Sequence, residues 1–321
     1  MAITLAEAQK NVQDALQMSV IDEFRKSNYI LDNITFDDAV SPTGGGATLT
    51  YGYTRLITQP TAAFRAVNDE YSPQSVEKQR YTCDLKVFGG SFEVDRIIAA
   101  MGGIINEVTL NIQQKVKAAQ ALFNDTVING DSAVDEKAFD GLEKALTGSS
   151  TELIPETAIG LSTAAAIDTN YKAFLDMLDE FLMGLDEKPS FIGGNLKLIA
   201  KIRACARRTG AYTTTKNDFG GQVEAYDNIP LVDLGAKPGT NNPVVPIAST
   251  TGSEGNTSLY AVRLGLDGFH GVSMAGQPPV KTWLPDFSTS GAVKKGEVEM
   301  VAAVALKATK AAGVMRKIKV Q

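Results

Sequence analysis

TGGGATLTYGYTRL, residues 43–56, opens on three glycines and then alternates Leu49, Tyr51 and Tyr53 against Thr48, Thr50, Gly52 and Thr54. A period of two puts these sets on opposite faces of a strand. A second alternating run, RYTCDLKVF at 80–88, sets Tyr81, Cys83, Leu85 and Val87 against Arg80, Thr82, Asp84 and Lys86. Together they predict an antiparallel ribbon. A two-stranded ribbon is marginal in water because it buries a face against nothing, so this one needs something to lean on. The connection QPTAAFRAVNDEYSPQSVEK holds two prolines and about twenty residues. A loop of that length inside a domain reads as a functional or binding element, which predicts a projecting hairpin.

Upstream, residues 5–26 read as an amphipathic helix. Thr4 and Glu7 have capping-box spacing, and Leu5, Ala8, Val12, Leu16, Val20 and Phe24 form one stripe. The strand-prone NYILDNITFDDAV at 28–40 follows, and the two together look like an arm. Downstream, Val94, Ile97, Ile98, Met101, Ile105, Val108, Ile112, Val116, Ala119, Phe123 and Val127 keep helical spacing. Gly102 and Gly103 interrupt this longest helix, so a short first piece and a main helix from about 103 to 126 are expected. Further helices are predicted over 171–187 and 196–210, the latter capped by Gly210, with a short strand FIGGN between them. Beyond residue 220 short strands alternate with Gly, Pro and Asn. The fold class is α+β, without βαβ alternation or repeats.

The chain has 321 residues, 44% apolar and 21% charged, the proportions of a globular protein. It contains no apolar run long enough to span a membrane, and its first residues lack the pattern of a signal peptide, so cytoplasmic synthesis is expected. A net charge of −6 argues against a surface built to grip phosphates. The single histidine, His270, lacks the second player that hydrolase triads and His-rich metal sites need. Cys83 and Cys205 read as buried or half-buried thiols. The glycine runs 44–46 and 193–194 lack a P-loop context, and Asp176, Asp179, Glu180, Asp186 and Glu187 read as a solvated helix face. No catalytic, cofactor-binding or metal-binding residue is assigned. Lys197, Lys201, Arg207 and Arg208 give the third helix a basic face, open to three readings: solvated, salt-bridged to a neighbouring acidic subunit, or weakly attractive to packaged nucleic acid.

What remains is architectural. The arm, the ribbon and its long loop all present surfaces for which other copies of the same chain are the natural cover.

The order of elements resembles that of the major capsid proteins of tailed bacteriophages, the Hong Kong 97 fold. Local phrases resemble the family too: GGSFEVDRIIA, FNDTVINGDS, FDGLEKAL, NIPLVDLG, LGLDGFHGV, VKKGEVEM and AAGVMRKIKV. The resemblance implies an N-terminal arm (1–40), an extended two-stranded loop (41–92), a peripheral domain with a long spine helix (93–160), a mainly axial domain (161–275) and C-terminal strands returning to the peripheral domain (276–321). It implies a structural, non-enzymatic subunit that forms hexamers and pentamers. The shell would enclose double-stranded DNA without sequence-specific binding, in a virion assembled in the bacterial host cytoplasm. A portal protein and a separate scaffold are the implied partners, with no cofactor and no membrane. On the extended loop Tyr51, Tyr53, Arg55, Arg65, Glu77, Lys78 and Arg80 are the expected subunit contacts, and Gly44, Gly45, Gly46, Gly89 and Gly90 the expected hinges. Some family members weld subunits through a lysine on this loop; Lys78 and Lys86 are its lysines, and no motif marks their asparagine or glutamate partners. An encapsulin-like nanocompartment shares the fold and is the alternative.

Overall fold

Two large β-sheets and a two-stranded ribbon carry the described strands, and the buried apolar residues form two main clusters, the first of which draws on both large sheets. The computed structural model describes residues 29–40, 48–100, 107–210, 213–216, 222–249 and 254–321. The expected arm helix 5–26, the triplet Gly44–Gly46 and the break at Gly102–Gly103 lie outside these residues.

The first sheet is organised by the long strand β14 (Val293–Leu306). Along one edge it pairs antiparallel with β4 (Lys86–Asp95), from Val293↔Asp95 to Ala302↔Lys86. Along the other it takes β13 (Val280–Trp283) and then β12 (Phe269–Met274), beyond which β1 (Phe36–Val40) runs parallel to β12. The segment read as an arm strand therefore begins with a helical turn, α1 (Tyr29–Asn33), before entering this sheet as β1.

A short helix α2 (Arg96–Ala100) follows β4, and the long helix α3 (Glu107–Asn129) packs on β4 and β14. The stripe predicted for this helix faces inward: Phe123 and Val127 are buried in the main core, Ala119 is buried beside them in sequence, and Val108 and Ile112 lean on Phe92, Val94 and Ile98. Phe123 is wholly buried, its ring 6.2 Å from Phe88 and 5.8 Å from Phe139. The helix runs three residues past the expected end, stopping where Gly130 and Gly141 cross and the Gly141 N–H donates to the Gly130 carbonyl at 2.8 Å. A Cβ on Gly130 would lie 2.2 Å from the Phe139 carbonyl oxygen, so only glycine allows the approach that starts α4 (Leu142–Leu146).

The second sheet runs β5 (Glu152–Leu153), β15 (Ala312–Lys319), β11 (Asn256–Val262), β7 (Phe191–Gly194), β10 (Ile229–Asp233), β9 (Gln222–Tyr226) and β8 (Thr213–Lys216), with β6 (Ile159–Gly160) also on β15. Helices α5 (Ala164–Met183) and α6 (Leu196–Thr209) share its core through Phe174, Leu178, Leu198 and Ile202. Helix α5 starts seven residues before the expected Tyr171, because the Thr163 side chain caps it by accepting from the Ala166 N–H at 3.2 Å. Gly210, at φ 72°, closes α6 in the left-handed conformation the sequence calls for.

The C-terminal strands divide between the sheets: β13 and β14 lie in the sheet beneath α3, whereas β15 lies in the second sheet, antiparallel to β11 and parallel to β5 and β6. The 3₁₀ turn at Thr309–Ala311 carries the chain across. Arg316 on β15 fastens α4 to this sheet by ion pairs to Glu143 at 2.6 Å and to Glu152.

A hairpin docked at its base and bare at its tip

Strands β2 (Thr50–Leu56) and β3 (Lys78–Asp84) form the expected ribbon, in register from Thr50↔Asp84 to Leu56↔Lys78. The run 80–88 is not one strand, however. It divides at Leu85, which is buried and whose N–H donates to the Leu49 carbonyl at 2.8 Å. On one side of this pair the chain belongs to the hairpin, on the other to β4 in the first sheet, and Val87 consequently faces outward.

The base of the ribbon leans on its own chain. The Tyr51 hydroxyl donates to Asp37 Oδ2 at 2.8 Å, and the Tyr53 hydroxyl donates to the Leu306 carbonyl at 2.9 Å. Arg55 donates from Nε to the Lys307 carbonyl at 2.8 Å, from Nη1 to Thr309 Oγ1 at 3.2 Å, and from Nη2 to the Leu306 carbonyl. Its guanidinium lies over the Tyr81 ring, 4.3 Å from the centroid, and Tyr81 stacks on Tyr53 at 5.8 Å. A planar cation between an aromatic ring and a set of carbonyls uses both of arginine's binding modes at once. Burial raises the pKa of the Tyr53 hydroxyl despite the opposing pull of Arg55, so it remains a donor. Cys83, on the same face, is pushed up to about 12 by burial and by Asp84 and Asp140, which leaves it an unreactive thiol. Beside these groups a cleft of about 380 Å³ separates the hairpin from Asp140, Lys144 and Phe139.

Beyond the base the picture inverts. Every residue from Leu56 to Arg80 is exposed. The connection 57–77 is held as a finger by bonds between its two legs: Ile57 N–H to Glu77 carbonyl at 2.9 Å, Thr61 N–H to Gln74 Oε1 at 2.7 Å, and Glu77 N–H to Thr58 Oγ1 at 3.0 Å. Arg65 braces the turn by donating to the Asp69 carbonyl at 3.0 Å and lying 5.5 Å from the Tyr71 ring centre. On this finger Phe64 is 107% exposed, Val67 87% and Tyr71 63%. Large apolar groups set so far out on one short connection mark a surface built for contact.

The predicted contact residues thus fall into two groups. Tyr51, Tyr53 and Arg55 are turned onto the chain's own β14 corner, whereas Arg65, Glu77, Lys78 and Arg80 lie on the exposed part, Arg80 folding across Gly52. The corner at 306–309 that receives the hairpin carries no sequence signal, because its role rests on backbone carbonyls.

Gly89 and Gly90 are not free pivots. Both sit inside β4, paired with Glu299 and Val298, and a Cβ on Gly89 would meet the Val298 carbonyl oxygen at 2.0 Å. Close strand approach, not hinge freedom, accounts for glycine at Gly89. The basic face of α6 is largely occupied within the chain: Lys197 by Gln321, Lys201 by the Ser162 carbonyl at 2.6 Å, and Arg208 by Asp168 at 2.5 Å. Of the acidic group on and after α5, Asp179 accepts from the Tyr226 hydroxyl at 2.7 Å, and Asp186 and Glu187 face Arg263 at 3.2 and 3.6 Å.

No protein-family model matches the sequence, and no curated protein matches it. The fold does match solved structures over its whole length. The holo-SrpI encapsulin complex from Synechococcus elongatus PCC 7942 is 14% identical at a TM-score of 0.67, over 100% of this chain and 98% of that one. The capsid of Myoviridae phage XM1 is 13% identical at 0.59, over 99% of each chain. The capsid of a native GTA particle is 10% identical at 0.60, over 96% and 95%. The chain therefore has the Hong Kong 97-type capsid fold that these shells share.

Proposed function

We propose that this chain is the structural major capsid subunit of a tailed-phage head, self-assembling into an icosahedral shell around double-stranded DNA. The observation that carries the reading is the finger 57–77, which is bare of cover from any described residue and tipped with apolar side chains. A monomer gains nothing from such a finger, whereas a subunit that lays it over a neighbour buries it at every contact. The work is mechanical: association free energy spread over many contacts per subunit lets a thin wall resist packed DNA. A net charge of −6 suits a wall that holds DNA without adhering to it. On this reading residues 1–40 act as a fastening arm, hexamers and pentamers are the building units, and a portal and a separate scaffold take part in assembly in the host cytoplasm. Arg65 and Glu77 on the finger, with Lys78 and Arg80 at the exposed start of β3, are the polar contacts with the adjacent copy, and the Gly44–Gly46 run lets the hairpin change angle as the shell matures.

Deleting residues 60–76 tests this. The variant should fold and fail to form shells by electron microscopy, and intact shells from it would overturn the reading. The similarity to an encapsulin favours a second reading, a protein nanocompartment that encloses enzymes. Particles purified from an expressing host with its native gene neighbourhood separate the two, by containing DNA or protein cargo.

A further inference from the structure

His270 stands on β12 opposite Ala305 of β14 and has no solvent exposure. Neither ring nitrogen completes a hydrogen bond with a described residue. Its imidazole meets the Tyr51 ring edge-on, with centroids 5.8 Å apart, and Tyr51 belongs to the hairpin. The docked base of the hairpin therefore covers a buried titratable ring. The charged and titratable groups around it are Asp37 from β1, Tyr51 from β2, Asp267 just before β12 and Lys307 just after β14. Asp37 is already engaged: it accepts from Tyr51 at 2.8 Å and lies 3.8 Å from Lys307 Nζ. Lys307 Nζ sits 5.5 Å from the Tyr51 ring centre, and its charge opposes a proton on the histidine.

We propose that His270 makes docking of the hairpin base sensitive to pH: a proton on the imidazole drives Tyr51 off the sheet so that water can reach the ring. A charged imidazole in this position would face Lys307 with the Gly268 backbone as its nearest acceptor and Asp37 already committed to Tyr51, whereas an uncovered one is solvated. In the docked state burial, and then Lys307, hold the histidine below its ordinary pKa, while Asp37, the Gly268 backbone and Asp267 pull weakly the other way. With the hairpin lifted the ring returns to an ordinary pKa near ~6.5. The docked state thus binds fewer protons, and it loses ground as pH falls below that ordinary value and continues to do so until the docked pKa is reached. Nothing in this requires a second copy of the chain.

The test is hydrogen exchange by mass spectrometry on the full-length protein at pH 7.5 and 5.0, corrected for the intrinsic exchange rate. Protection of β2 and β3 should fall by up to about 30-fold at the lower pH, the limit set by an ordinary histidine pKa, while the second sheet holds steady. His270→Phe and His270→Gln should each keep hairpin protection constant across the range. If one variant fails to fold, the other carries the comparison. Equal wild-type protection at both pH values, or the same acid loss in a folded variant, overturns the proposal.

Discussion

The Arg55 guanidinium and the Lys307 carbonyl are 2.8 Å apart in space and 252 residues apart in sequence. This contact, with its neighbours on Leu306 and Thr309, fixes the hairpin to the corner where the chain leaves the first sheet for the second. The direction of the finger is therefore tied to the joint between the two cores.

Arg55→Ala removes the stack on Tyr81 and three donors, and should weaken hairpin docking by about 1–3 kcal/mol. Exchange protection of residues 50–56 should drop by roughly fivefold or more, with the melting temperature of the body little changed. Arg55→Lys should recover less than half of the loss, since an ammonium cannot stack and fork together. Full protection in the alanine variant would show that Tyr51 and Tyr53 hold the base without it.

Much of the hairpin was legible beforehand because alternation is a local property: Tyr51 against Cys83 and Tyr53 against Tyr81 pair as the two runs suggest. The place where the ribbon ends was not, since Leu85 and Val87 continue the same alternation across a change of sheet. Nor was its support, because the carbonyls of Leu306 and Lys307 have no side-chain signature. For Gly89 the sequence offers freedom and close approach equally, and only the partner strand decides between them.

That distinction can be measured. Gly89→Ala would drive a Cβ to 2.0 Å from the Val298 carbonyl oxygen, which forces β4 and β14 apart and should cost roughly 3 kcal/mol or more, or prevent folding. Gly90→Ala meets only the flexible Lys115 side chain at 3.3 Å and should cost under about 1 kcal/mol. Thermal unfolding of the two variants checks the contrast; equal tolerance at both positions would restore the hinge reading.

The Arg316 network gives the second sheet an acid limit. Burial opposes ionisation of Glu152, but the Gly148 N–H at 2.6 Å and Arg316 outweigh it and hold its pKa below the ordinary value. A depressed carboxylate pKa contributes stability that is present above the unfolded value and lost as pH falls through the folded one. Wild-type stability should therefore decline from about pH 5 downward, and Glu152→Gln should be less stable by about 1–3 kcal/mol at pH 7 with a flatter decline. Denaturant unfolding between pH 7 and pH 3 reads both; parallel curves for the two proteins would remove Glu152 from the acid response.

The finger's apolar tip separates folding from association. Phe64, Val67 and Tyr71 touch little of their own chain, so replacing Phe64 and Val67 by serine should leave the subunit's melting temperature unchanged within measurement. If the tip is buried against an adjacent copy, each large apolar group contributes about 1.5–3 kcal/mol there, and every 1.4 kcal/mol is about tenfold in affinity. The double variant should then raise the concentration needed for assembly by at least about tenfold per contact, and the effect should compound because each subunit both gives and receives a finger. Light scattering of refolded subunits against concentration makes the measurement. A variant that assembles at the wild-type threshold would place the subunit's main contacts elsewhere and leave the exposed finger without its proposed use.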